Sequence, residues 1–226
     1  MNKELWLIWK NPTTCIKYKV AVLNKENNKY KFYYCNPELD DAKNAGFNYY
    51  PGFDDLTKIY ECDTLFTNIM TRLPNESRPD YLEILNYYNL DKDSDEFKIL
   101  KATRGRSITD NYEFVSAYDS SKIEFDVAGT SHSKDIKKCK NLLKINKKLY
   151  LEPEPNNDYD KCAIKILFKE NNKTYHLGYV PRYYCKQLLK ELEKGTEYSA
   201  MIQGLNLESV LSDENITAHV KLIFNI

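Results

Sequence analysis

Glycine is scarce in this chain, with seven among 226 residues. That leaves little material for loops that wrap a phosphate in backbone N–H groups, and neither a P-loop nor an HRD-like catalytic segment occurs. No GxSxG, HExxH or Cys-His signature is present, which removes the common hydrolase and metalloprotease arrangements. Histidine is rarer still: His132, His176 and His219 lie far apart, and none stands near Cys or acids at metal-ligand spacing, so no zinc site is expected. The six cysteines (15, 35, 62, 139, 162, 185) include no CxxC pair. Several fall in apolar strand or helix patterns, so they read as buried free thiols in a reducing compartment.

Long apolar runs are missing too, and nothing approaches the roughly 18 to 20 residues of a membrane span. The short apolar run Leu5-Trp6-Leu7-Ile8-Trp9 meets Lys10 and Asn11 too soon for a signal peptide, so the expectation is a cytoplasmic protein with no membrane partner. Net charge is also absent. With 33 basic against 33 acidic residues, the whole surface cannot serve as a grip for nucleic acid, and any such contact must come from local patches. Acids such as Glu76, Asp80 and Glu83 follow helix-face spacing, where solvation explains them. No catalytic constellation and no cofactor site emerge, and a non-enzymatic protein is expected.

What is present is globular: 42% hydrophobic and 29% charged, in a chain long enough for two modest domains. Residues 3–9, 18–24 and 30–35 are β-rich, the last two separated by a polar turn of hairpin length. Residues 36–60 carry Pro37, Gly46, Pro51 and Gly52 among scattered aromatics and read as an irregular connection. From Leu65 the apolar period becomes helical. Three short helices are expected: one through Leu65, Phe66, Ile69 and Met70, stopped by Pro74; one opening at Ser77-Arg78-Pro79; one capped near Asp93 to Asp95 and ended by Gly105. A strand returns at 111–115, and Tyr118-Asp119-Ser120-Ser121-Lys122 has the polar, turn-forming character of a linker. The expected domains are 1–122 and 123–226.

The second part opens with the alternating strand Ile123-Glu124-Phe125-Asp126-Val127-Ala128-Gly129. Residues 133–148 follow, with seven Lys against one Asp. This basic stretch has two readings, a solvated loop or a patch that steers phosphates. Lys and Tyr are plentiful along the whole chain, which lowers the weight of any one cluster. Next come a strand at 149–152, a polar elbow at 153–162, a buried strand from Ala163, and Leu177-Gly178-Tyr179-Val180 delivering the chain into a helix. That helix runs from Pro181 to Lys194, with Tyr184, Cys185, Leu188, Leu189 and Leu192 on one face and Gly195 past its end. Strands at 198–205 and 216–224 complete the sheet.

These residues carry a resemblance. Val127-Ala128-Gly129, the core Asn156-Asn157-x-Tyr159-Asp160-x-x-Ala163-Ile164, and Leu177-Gly178-Tyr179-Val180-Pro181-Arg182 occur in the order and spacing of a HIRAN domain, so residues 123–226 resemble that family. The resemblance implies an OB-like β-barrel with one or two helices that binds single-stranded DNA or DNA 3′ ends. The pattern departs at Thr130-Ser131-His132-Ser133, where the family has a basic residue and aromatics.

Elementary chemistry fits that role. An end-binder needs an aromatic face for the terminal base, an acceptor for the free hydroxyl and cations for the next phosphates. Tyr159, Asp160 and Arg182 supply one of each. Lys161, His132, Lys134, Lys137 and Lys138 are the further candidates for phosphate or base contact. Each has a plainer reading: Asp160 as a turn cap, Tyr159 as a plug in the elbow, Arg182 as a solvated charge.

Residues 1–122 resemble, more faintly, the N-terminal subdomain of HipA-type kinases, through Leu65 to Pro74, Arg78, Tyr81, Leu82, Asp95 to Leu100 and Arg104 to Asp110. The kinase core is absent. This resemblance implies a partner-docking α+β module and a second functional reading, an antitoxin-like or regulatory partner of a HipA-like kinase. The fold class expected overall is α+β.

Overall fold

The computed structural model describes residues 3–27, 29–88, 90–206 and 217–224. Two compact units, 1–117 and 118–226, make up the chain. Both are mixed, with an antiparallel sheet and a few helices.

The first unit contains β1 (Lys3–Lys10), β2 (Lys17–Glu26), β3 (Lys29–Tyr34), α1 (Glu38–Asn44), β4 (Tyr60–Cys62), α2 (Thr67–Met70), α3 (Tyr81–Tyr87), α4 (Glu96–Thr103) and β5 (Tyr112–Ser116). Its sheet has the order β4-β3-β2-β1-β5. β1 is an inner strand of this sheet, between β2 and β5, by composition as well as position. Leu5 to Trp9 are buried without interruption, so both faces of the strand are covered rather than one. Leu5, Leu7 and Trp9 belong to a core built largely of rings, including Phe32 stacked on Phe53 with centroids 3.9 Å apart.

Helix α1 was not expected, because Pro37 and the aromatics around it suit an irregular connection. It forms within residues 36–60 by burying Leu39 and Ala42 on one face, so the described residues of the unit hold four short helices rather than three. α4 begins where its cap chemistry dictates, with the Asp95 side chain accepting from the Lys98 N–H at 2.8 Å. It ends at Arg104 and Gly105, both in the left-handed region. The loop beyond is tied down by Arg72, which is nearly buried and donates to the Tyr50 hydroxyl, the Gly105 carbonyl and Asp110.

The second unit contains β6 (Lys122–Asp126), a 3-10 turn at Thr130–His132, α5 (Lys134–Cys139), a second 3-10 turn at Lys140–Leu142, β7 (Lys148–Pro153), β8 (Ile164–Glu170), β9 (Lys173–Tyr179), α6 (Arg182–Glu193), β10 (Tyr198–Asn206) and β11 (Thr217–Phe224). Residue 216 of the expected last strand lies outside the described residues. The sheet order is β6-β11-β10-β7-β8-β9. Alternate residues such as Phe125, Ile166, Phe168, Ile202 and Leu222 point into its core, where Tyr184 of α6 meets Phe125.

The sheet is not a closed barrel. Its outermost strands approach each other through one bridge, Ala128 to Tyr179, beyond the end of β6. A ladder cannot continue from there, because Gly129 turns left-handed and the chain enters a 3-10 helix. The basic stretch also differs from a loop: residues 134–139 are helical, since the Ser133 hydroxyl caps the Ile136 N–H and Ile136 and Cys139 are buried.

Candidate nucleic-acid interface

The polar elbow between β7 and β8 is built on Asn157. Its side-chain oxygen accepts from the N–H groups of Tyr159 and Asp160, and its amide donates to Glu154 Oε2 at 2.8 Å. Glu154 also accepts from the Tyr179 hydroxyl at 3.0 Å and pairs with Lys165 at 2.6 Å. Three donors therefore converge on one carboxylate. Hydrogen bonds from Lys165, Asn157 and Tyr179 hold the Glu154 pKa down to about 2. Burial and the bond to Glu154 raise that of Tyr179.

Asp160 does cap its turn, accepting from the Cys162 N–H at 2.9 Å. Its other oxygen lies 3.7 Å from Arg182 Nε, at the first residue of α6. An ionised carboxylate has about four lone-pair sites, so this one retains capacity for a ligand hydroxyl. Tyr159 is not an elbow plug: its residue is 86% exposed, an unusual position for a ring with no internal contact to fill. Lys161 beside it is exposed as well.

The elbow and the Gly129 turn form the two walls of a rim, the second brought in by the Ala128–Tyr179 bridge. It sets Gly129 against the Tyr179 ring, where a Cβ at Gly129 would lie 3.8 Å from Tyr179 Cδ2. In the turn that follows, Thr130 and Ser133 are buried and Ser131 and His132 are exposed. His132 is thus the one aromatic this turn presents. Ser133 donates to the His176 carbonyl, and Asp135 accepts from the His176 N–H at 3.3 Å, so α5 is anchored to β9. The His176 ring meets the Tyr179 ring edge-on at 4.8 Å.

Lys134, Lys137 and Lys138 lie on the exposed side of α5. Lys138 is engaged with Asp135 at 2.8 Å. The structure therefore links Tyr159, Asp160 and Arg182 through the elbow, and places the α5 lysines on a separate element tied to β9. Glu154, Asn157, Lys165 and Tyr179 were not among the residues singled out for contact. Their signal in the sequence was present: Asn157 and Tyr179 stand inside the two motifs, but nothing local shows that Glu154 joins them. Among the described residues, no group of three or more His, Cys, Asp or Glu side chains is placed to hold a metal ion. Among the described residues, no helix is long and apolar enough to cross a membrane.

Fold and rim together define a small β-rich domain with a polar edge that carries exposed aromatic side chains. Residues 120–221 match the family model of the HIRAN domain. The chain is similar to the crystal structure of the HIRAN domain of human HLTF, at 17% identity and a TM-score of 0.35, over 46% of this chain and 74% of that one. It is also similar to a protein from Lactobacillus plantarum, at 20% identity and a TM-score of 0.36, over 44% of this chain and 91% of that one. No curated protein matches the chain. These comparisons do not show the resemblance of residues 1–122 to HipA-type kinases.

Proposed function

We propose that the second unit is a non-enzymatic module that captures single-stranded DNA at a free 3′ end. The observation that carries this reading is the continuous hydrogen-bonded chain Tyr179, Glu154, Asn157, Asp160, closed by Arg182, with the exposed Tyr159 ring beside it. A terminal base stacks on Tyr159, its 3′-hydroxyl donates to Asp160, and Arg182 and Lys161 take the adjoining phosphate. His132 closes the rim from the opposite turn, and Lys134 and Lys137 add longer-range attraction. The match of residues 120–221 to the HIRAN family supports the same reading. The sheet that carries the rim is open, its outermost strands meeting at the Ala128–Tyr179 bridge. The other reading, a regulator of a HipA-like kinase, has no observation in its favour.

A 3′-phosphate in place of the hydroxyl sets a dianion against Asp160 and removes the donor that Asp160 requires. The test is fluorescence anisotropy with oligonucleotides ending in 3′-hydroxyl or 3′-phosphate. Tighter binding of the free end is expected, and equal binding of the two ends overturns end capture.

A further inference from the structure

The outer face of the same sheet holds a second arrangement. On β7, Tyr150 lies between two lysines: Lys148 Nζ is 5.3 Å and Lys169 Nζ 4.5 Å from its ring centroid. The register explains this, since Tyr150 pairs with Leu167 and Leu149 with Phe168, which brings Lys148 and Lys169 to neighbouring outward positions on β7 and β8. Across the sheet Lys148 pairs with Met201, and Met201 with Lys221. Among the described residues, no carboxylate is paired with Lys148 or Lys169, whereas Lys221 stands opposite Glu124 of β6. Like charges directly opposite one another disfavour folding, so the Lys148–Lys169 pair is a poor choice for stability and a good one for a polyanion.

We infer that this strand face is a second binding segment for single-stranded nucleic acid, carrying the nucleotides that precede the end held at the rim. This rests on the function proposed above. Continuity is the reason. Lys165, part of the rim through Glu154, and Lys169 stand on the same side of β8, four residues or about 13 Å apart along the strand. A strand leaving the rim along β8 therefore reaches Tyr150 and its lysines without a break. Base stacking is stronger than a cation–π contact at an exposed site, so an arriving base displaces an ammonium group from the ring, and that group moves to a phosphate.

Anisotropy on the full chain separates the two segments, using a thymidine dinucleotide and octanucleotide with free 3′-hydroxyls and an octanucleotide with a 3′-phosphate. The octanucleotide is expected to bind at least about tenfold tighter than the dinucleotide, from stacking on Tyr150 and the added phosphate contacts. Tyr150→Ala removes about tenfold from the octanucleotide alone, while Tyr150→Phe retains it. The exposed pair Lys148→Ala with Lys169→Ala lowers the log–log salt slope by about 1.4. Equal affinity for the two lengths, or an unchanged slope in the lysine variant, overturns the strand-face segment. If free and blocked octanucleotides bind alike yet the lysine variant weakens both, end capture fails and this segment stands. If the free end is preferred but length has no effect, the converse holds; no binding to any probe removes both.

Discussion

Ala128 and Tyr179 exchange both of their backbone hydrogen bonds, each at 2.8 Å, and that one bridge joins the two outermost strands of the second unit. It brings the Gly129 turn to the Tyr179 ring and so gives the rim its second side. The bridge is possible because the residue before Tyr179 is Gly178. At φ +150° it sits where other residues are strained, and a Cβ there would lie 2.4 Å from the Ala128 carbonyl oxygen and 2.8 Å from Val127 Cγ1.

Gly178→Ala is therefore expected to destabilise the second unit by at least about 2 kcal/mol, because the obstacle is backbone and cannot rotate away. Urea denaturation followed by far-UV circular dichroism reads the change. A midpoint equal to wild type would show that the two strands part easily and that the bridge does not hold the rim.

At the elbow, stability and binding separate. Tyr159→Ala removes an exposed ring, so the unfolding midpoint should stay within about 0.5 kcal/mol of wild type while affinity for a free 3′ end falls about tenfold. Asp160→Asn keeps an oxygen for the Cys162 N–H but loses the charge that faces Arg182. It should reduce the preference for hydroxyl over phosphate ends about tenfold with the turn intact. A variant that keeps full preference would exclude Asp160 as the hydroxyl acceptor.

In the first unit the pH dependence of folding centres on Glu113. Burial pushes its pKa up, but Lys17 at 2.8 Å, Arg106 at 2.7 Å and Arg104 at 3.8 Å outweigh this and bring it down to about 2. A pKa below the unfolded value of 4.5 means stability that is fully present above about pH 4.5 and is lost as pH falls toward 2. The contribution is on the order of 3 kcal/mol. Glu113→Gln should flatten the stability of this unit between pH 5 and 2, in roughly that range, when followed by denaturation. An unaltered pH profile would assign the acid sensitivity to other carboxylates.

Much of this architecture is legible in the sequence because local signals agree with packing. Alternation marks β6, the Asp95 cap and Gly105 bound α4, and Pro181 and Gly195 bracket α6. The elbow motif set Tyr159 and Asp160 on one turn, since the turn that Asn157 and Asp160 form is local, whereas Arg182 comes to Asp160 from the start of α6. Other features depend on partners distant in the chain. α1 is set by the burial of Leu39 and Ala42 among pieces of the core, and the open edge of the second sheet by a single contact across 51 residues. The meeting of Glu154 with Tyr179 and Lys165 is likewise tertiary, and a carboxylate in a polar elbow gives no sign of it. The lysines over Tyr150 escape the sequence too, because only the β7–β8 register brings Lys169 to that ring.

That tertiary knot yields a last prediction. Tyr179→Phe deletes one of the three donors to Glu154 and leaves the Lys165 and Asn157 contacts in place. The ring and the Ala128 bridge are untouched, so the loss of stability should be no more than about 1 kcal/mol. The Glu154 pKa should rise from about 2 toward its ordinary value, because one of the bonds favouring the charged form is gone. Carboxyl-detected NMR titration of Glu154 measures this directly. An unchanged titration would mean that Lys165 and Asn157 alone fix the carboxylate and that the Tyr179 hydroxyl is available to a ligand. A rise accompanied by several-fold weaker binding of a free 3′ end identifies the Tyr179–Glu154 bond as what keeps the elbow in its binding shape.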